Sequence, residues 1–170
     1  QDDRGSNASL KGVKEVLNVA MERIDARMRG EQSDGAVDSG FSELDGMTGG
    51  LRGSELLILA ARPSMGKTAF AMNIAENVAM RGNSPVLFVS LEMSAIELIE
   101  RMMCSVARVN GHRLRNGTIS QEDRKKLVEK AAEISESPLY IDDAPGRTVA
   151  EIAAAARRIK RIEKNSSDRP

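Results

Sequence analysis

The sequence predicts an α/β fold, a mostly parallel sheet with helices on both faces. Two observations carry that expectation. Short apolar runs alternate with helix-length amphipathic segments from residue 37 to residue 164, the order expected of βαβ units. One of those runs, Leu56-Leu57-Ile58-Leu59, passes through a loop ending Gly66-Lys67-Thr68 directly into a helical pattern, which is the strand-loop-helix layout of a phosphate-binding loop. Helix starts are marked by capping pairs, Ser94 with Glu97, Ser120 with Asp123 and Thr148 with Glu151, in which a hydroxyl and an acidic side chain satisfy orphan backbone N–H groups.

The elements follow in order. Residues 1–8 are polar and are expected to be disordered. Over residues 9–29 the apolar positions Leu10, Val13, Leu17, Met21, Ile24 and Met28 recur at three- and four-residue spacing, so this segment reads as an amphipathic helix. Residues 30–36, beginning Gly30-Glu31-Gln32-Ser33-Asp34-Gly35, break it as a flexible linker. The helix's stripe therefore either folds back on the core or packs on another chain. Residues 37–164 carry the α/β pattern, with strands expected at 55–61, 85–91 and 139–142 and helices at 67–81, 95–109, 121–135 and 149–163; residues 165–170 form a polar tail. No repeat or low-complexity tract interrupts it.

Composition narrows the function classes. With 170 residues there is enough chain for one domain with a real core. The 25 basic residues balance 25 acidic ones, so nothing in net charge advertises a polyanion partner and any nucleic-acid contact has to be local. Cys104 is the single cysteine and sits in an apolar helical pattern, which excludes an internal disulfide and fits a structural thiol in a reducing compartment. The longest strictly apolar run, Leu56 to Ala61, is far short of a membrane span or a signal segment. A cytoplasmic protein is expected. Because the chain opens on Gln1 and closes on Pro170 in a polar tail, it is also expected to be a piece of something longer.

The chemistry concentrates in the loop Ala61-Arg62-Pro63-Ser64-Met65-Gly66-Lys67-Thr68-Ala69. Backbone N–H groups from Ser64 to Thr68 can wrap a phosphate, Gly66 removes a Cβ from the approach, Lys67 can reach β- and γ-phosphates, and the Thr68 hydroxyl can ligate Mg²⁺. The general motif has glycine where this chain has Ala61. Twenty-four residues after Thr68 comes Glu92, at the end of the second strand. Ligands in open α/β sheets gather at the carboxyl ends of strands, where a carboxylate can orient water for attack on a γ-phosphate; the alternative is a cap on the helix after Ser94. His112 is the only histidine, follows Asn110-Gly111 and has no ligand partner at metal spacing, so a surface role is expected. Asp142 and Asp143 end the third strand just before Pro145-Gly146, where Asx hydrogen bonding in a turn competes with Mg²⁺ binding. The last helix carries Arg157, Arg158, Lys160, Arg161 and Lys164, expected as a solvated basic face near a helix C-terminus.

Several segments together resemble the hexameric replicative DNA helicases of bacteria, the DnaB family, within the RecA-like ATPases. They are Gly40-Phe41 with Leu44-Asp45, Gly49-Gly50-Leu51 with Gly53, the loop from Ala61 to Thr68, Ser90-Leu91-Glu92-Met93, and Leu139-Tyr140-Ile141-Asp142-Asp143, spread over nearly all of residues 9–164. Alanine at position 61 is what this family's loop often shows. The resemblance implies a RecA-like P-loop core, truncated and preceded by an amphipathic linker helix, from a ring-shaped motor. Such a motor hydrolyses ATP with Mg²⁺ to translocate on single-stranded DNA and separate the duplex during replication. It further implies that Lys67 and Thr68 hold phosphate and Mg²⁺, that Glu92 is the catalytic carboxylate, and that residues 9–29 dock on the neighbouring subunit of a homo-hexamer. Primase and a helicase loader are the implied protein partners. The family's Walker B aspartate, DNA-binding loops and arginine finger are expected beyond Pro170, so the sheet is expected to lack its middle and the 170-residue piece alone to be inactive. A recombination or clock-type RecA-like ATPase and a non-catalytic nucleotide-binding assembly module are the alternatives.

Overall fold

A computed structural model describes residues 12–29 and 35–167, and the chain divides into two units, Gln1–Ala36 and Val37–Pro170. The described part of the first unit is one helix, α1 (Val13–Met28), with an exposed apolar stripe that includes Leu17, Met21 and Ile24. Residues 1–11 and 30–34, which include the first residues of the expected helix and most of the expected linker, lie outside the described residues.

The second unit runs α2 (Ser42–Thr48), α3 (Lys67–Glu76) continuing into a wider π turn (Asn77–Arg81), β1 (Val86–Val89), α4 (Ala95–Ala107), α5 (Gly111–Arg115), α6 (Gln121–Ser135), β2 (Leu139–Asp142) and α7 (Val149–Ser167). β1 and β2 pair in parallel, with Val86 opposite Leu139 and Val89 opposite Asp142. Side chains alternate across this pair. Phe88, Leu139 and Ile141 pack against the core cluster of Met72, Leu98, Met102 and Ile134 from α3, α4 and α6. On the opposite face Tyr140 donates its hydroxyl hydrogen bond to Glu163 of α7. Helices thus cover both faces of the pair, as the alternating pattern predicts.

The expected strand over residues 55–61 is not one. Among the described residues no strand pairs with it, and Leu56, Leu57, Ile58 and Leu59 are all exposed. A strand exists only where a neighbour takes up its backbone N–H and C=O groups, and among the described residues no strand lies alongside. The helix expectations fare better. α4 starts on a reciprocal capping box between Ser94 and Glu97, and Thr148 and Glu151 form the same reciprocal arrangement at α7. At α6 the exchange is one-sided, because Ser120 accepts from the Asp123 N–H while the Asp123 carboxylate faces Arg113 at 3.9 Å. α7 runs on to Ser167 instead of stopping at 163, since no glycine or proline intervenes before Pro170. Two short helices, α2 and α5, have no counterpart in the sequence reading; α2 spans only seven residues with Gly46 inside, and α5 only five.

A strap formed by residues 37–51 is tied to α3. Val37 and Leu51 exchange backbone hydrogen bonds at 2.8 and 2.7 Å, and the Phe41 and Phe70 rings lie 4.9 Å apart. Ser39, fully buried, donates its N–H to the Asp45 carboxylate at 2.9 Å and accepts the Asn77 amide on its carbonyl at 3.1 Å. Hydrogen bonding from Ser39 holds the Asp45 carboxyl below its ordinary range. Between them Gly40 adopts a φ of +83°, and a Cβ there would collide with the Asn77 side chain. Gly40→Ala therefore meets both backbone strain and a clash. It is expected to cost roughly 1–3 kcal/mol of stability, read as a lowered urea midpoint at unchanged slope.

Candidate functional site

The stretch from Arg62 to Lys67 turns sharply. Ser64 and Gly66 both take positive φ, 65° and 87°, conformations in which a Cβ is costly except at glycine. A Cβ at Gly66 would meet nothing within 4 Å, so glycine is required here by the backbone angle, and the space in front of it stays open. Gly66 is the N-cap of α3 and supplies no side-chain cap. The first N–H groups of α3 therefore point out of the helix without an internal acceptor. With the helix dipole behind them they favour an anion.

These groups face a cavity of about 420 Å³. The loop from Ala61 to Ser64 and the residues Gly66 to Ala69 line one side, and Glu92 and Arg101 the other. Lys67, Thr68 and Glu92 also line a second cavity of about 360 Å³ that runs beneath the end of β1. The lysine, threonine and glutamate expected to act together, separated by as much as 25 positions in sequence, thus share both spaces. Of the expected loop contacts Met65 alone is absent from these walls. Its side chain is exposed and its N–H is turned to the Arg62 carbonyl at 3.3 Å, which removes that donor from the expected cradle.

Glu92 sits on a turn braced from below. The Ser90 hydroxyl donates to the Met93 carbonyl at 2.6 Å and accepts the Met93 N–H at 3.1 Å, closing the turn around Leu91 and Glu92. The Ser90 N–H continues the strand pairing onto the Asp142 carbonyl. Capping of α4 falls to other residues. Ser94 and Glu97 form the box, which holds the Glu97 carboxyl below its ordinary range, and the Asp143 carboxylate accepts the Ala95 N–H at 2.7 Å. The Glu92 carboxylate is left facing the cavities.

Other sequence candidates separate cleanly from this place. Asp142 accepts the Ala144 N–H at 3.1 Å and pairs with Arg147 at 2.9 Å, the turn-supporting role, and no cluster of three or more His, Cys, Asp or Glu suited to a metal occurs among the described residues. A Mg²⁺ ion held mainly by phosphate oxygens and one hydroxyl needs no such cluster, and the Thr68 hydroxyl fits that demand. His112 belongs to the Asn110 cap and its Nδ1 lies 3.1 Å from the Asn116 amide. Cys104 is buried, and burial pushes its thiol up. The basic residues of α7 are exposed. Among the described residues no helix is long and apolar enough to cross a membrane. Arg101 is the cavity residue that the sequence reading missed. Its only signal is its place three residues after Leu98, which means nothing until the direction of α4 is known.

The chain is similar to proteins of known family. The chain is 41% identical over 157 residues to the replicative DNA helicase DnaC of Bacillus subtilis, covering 92% of this chain and 35% of that protein. It is equally similar, over the same length, to the replicative DNA helicase DnaB of Geobacillus stearothermophilus. The chain thus spans about a third of the length of these relatives. Its fold superposes on the ATPase domain of G40P with a TM-score of 0.79 at 34% identity, covering 90% of this chain and 53% of that one. A DnaB-like replicative helicase whose structure was solved with attention to its interactions with primase gives 0.75 at 34% identity, over 92% of this chain and 37% of that one. The α/β core is thus of the RecA-like type these ATPase domains share. Since the profile of the DnaB-like helicase C terminal domain matches residues 36–167, a span that holds the strap, the loop, Glu92 and both strands, the chain belongs to that family.

Proposed function

We propose that this chain is the nucleotide-binding part of a replicative DNA helicase that couples ATP hydrolysis to movement along single-stranded DNA. The observation that carries the proposal is the meeting of Lys67, Thr68 and Glu92 on one cavity in front of an uncapped helix N-terminus. Lys67 offsets the charge of the β- and γ-phosphates, and the N–H groups at the start of α3 bind the phosphate oxygens. Thr68 would hold Mg²⁺ through its hydroxyl, and the ion would supply neutralisation of the charge that builds up during transfer. Glu92 orients a water in line with the terminal phosphate and takes up its proton as the water oxygen bonds to phosphorus, while the bond from that phosphorus to the bridging oxygen breaks and the nucleoside diphosphate leaves with the electron pair. Catalysis by such a site is mostly positioning and charge compensation. The braced turn under Glu92 and the rigid start of α3 supply the positioning.

In this reading α1 is a linker helix that docks on a neighbouring subunit of a homo-hexamer through its exposed stripe. Single-stranded DNA is gripped by parts beyond the segment described. Primase, with which a solved relative interacts, and a helicase loader are the protein partners, and the setting is the cytoplasm. Each half of the reading has its own test, made in a protein that carries this segment at the length of its relatives.

Lys67→Ala is expected to reduce ATP hydrolysis by roughly 10²–10³-fold with an unchanged melting curve, and turnover near wild type would sink the assignment. Glu92→Gln keeps the shape of the side chain and loses the base. Nucleotide affinity, measured by titration, is expected to stay put while turnover falls by about 10²–10⁴-fold; a parallel loss of binding and turnover would make Glu92 structural. Replacing Leu17 and Met21 together by aspartate is expected to convert hexamers to smaller species without unfolding the ATPase domain. Light scattering decides that point, an unchanged mass refuting the docking role.

A further inference from the structure

α4 is held in register by three independent contacts. The Ser94–Glu97 box fixes its first turn, the Asp143 carboxylate ties down the Ala95 N–H, and Leu98 and Met102, both 0% exposed, lock its rotation against the core. With start and rotation set, the position between those two anchors that opens onto the loop cavity is Arg101. Its guanidinium brings five N–H donors in a planar fork, and among the described residues it makes no salt bridge. The carboxylate one turn earlier, Glu97, is already engaged by the Ser94 N–H and hydroxyl, each at 3.1 Å, and shares with Arg101 only its electrostatic field.

The other cations on this cavity, Arg62 and Lys67, come from the loop itself. Arg101 comes from the opposite wall, on the same β1–α4 unit that carries Glu92. A guanidinium with unspent donors, carried on a fixed helix and lining a phosphate cradle, has the chemistry of an oxyanion ligand. Its side of the cavity is the one where a water oriented by Glu92 would stand. Resting on the nucleotide reading above, we propose that Arg101 is a further phosphate-contacting residue, which holds the terminal phosphate of a bound nucleoside triphosphate from the Glu92 side and lets the site tell triphosphate from diphosphate.

The test compares Mg·ADP with a non-hydrolysable Mg·ATP analogue by equilibrium titration, using a protein that carries this segment at the length of its relatives. Arg101→Ala is expected to leave ADP affinity nearly unchanged, to weaken the analogue by about tenfold or more, and to lower kcat more than it raises KM for ATP. Arg101→Lys, which keeps the charge and loses the fork, is expected to fall between. It decides the matter if the alanine variant melts early: analogue affinity below wild type with ADP affinity intact supports the role, and wild-type affinity for both overturns it. Equal weakening of both nucleotides would mean a general structural effect and overturns the proposal. So does unchanged affinity for both with a shifted pH profile of turnover, which would mean that Arg101 serves Glu92 and not the phosphate. Failure of the nucleotide reading itself looks different, as wild-type protein that binds neither nucleotide or Lys67→Ala that binds both as well as wild type.

Discussion

The parallel pairing of β1 with β2 is the constraint on which the placement of everything else depends. Parallel neighbours cannot be joined by a tight turn, so the chain has to travel back the length of the sheet before it can pair again. Residues 90–138 make that journey as α4, α5 and α6, and the apolar faces of α4 and α6 are buried on the pair because the crossover lays them there. Both strands then end on the same side. The turn bearing Glu92 and the turn bearing Asp142 and Asp143 become neighbours, joined by the Ser90 N–H on the Asp142 carbonyl. Asp143 can reach the first N–H of α4 across 48 positions of sequence only because of this geometry.

Asp142 and Asp143, which the sequence offers as possible Mg²⁺ ligands, are thereby spent on the scaffold, as is the capping residue Glu97. Asp142 supports its own turn and holds Arg147; Asp143 caps α4; Glu97 closes a capping box. What is left unspent faces the loop. This division of labour gives the cavity its character: the carboxylates that steady the helix ends are committed by short hydrogen bonds, whereas Glu92, Lys67 and Arg101 face open space. The strap adds a second brace from the other side, since Asn77, one residue past the end of α3, carries the Ser39 carbonyl on its amide. The helix that begins at the loop is thus held at its far end as well.

Much of this was readable in the residues alone, where the signal is local. Gly66-Lys67-Thr68 between an apolar run and a helix, and the hydroxyl-acid pairs at Ser94 and Thr148, state their own geometry because each depends on atoms three or four positions apart. The start of α6 at Ser120 was readable for the same reason, although the Asp123 carboxylate forms an ion pair with Arg113 at 3.9 Å and does not close the box. What could not be read depends on distant atoms. An apolar run at residues 55–61 has the composition of a buried strand, yet pairing is a property of two segments, and no periodicity reports whether the second is present. Arg101 is similar: its place on the cavity follows from the rotation of α4, which Leu98 and Met102 set by burying themselves against Met72 and Ile134. α2 and α5 were missed for a different reason, being too short for a helical period to establish itself.

The unpaired run has a consequence for how the chain behaves as a material. From Leu56 to Ala61 it offers six successive uncharged residues without proline, flanked on one side by an apolar groove of about 380 Å³ that includes Leu57, Phe70 and Ile74. An extended segment with a free row of amides and carbonyls and greasy side chains is a template for edge-to-edge growth. Net charge offers no relief, because 25 positive and 25 negative groups cancel and leave no long-range repulsion to keep molecules apart. A stretch that lies directly before the phosphate loop thus offers this polypeptide an edge for self-association. Any neighbour that shields that stretch also steadies the segment leading into the loop.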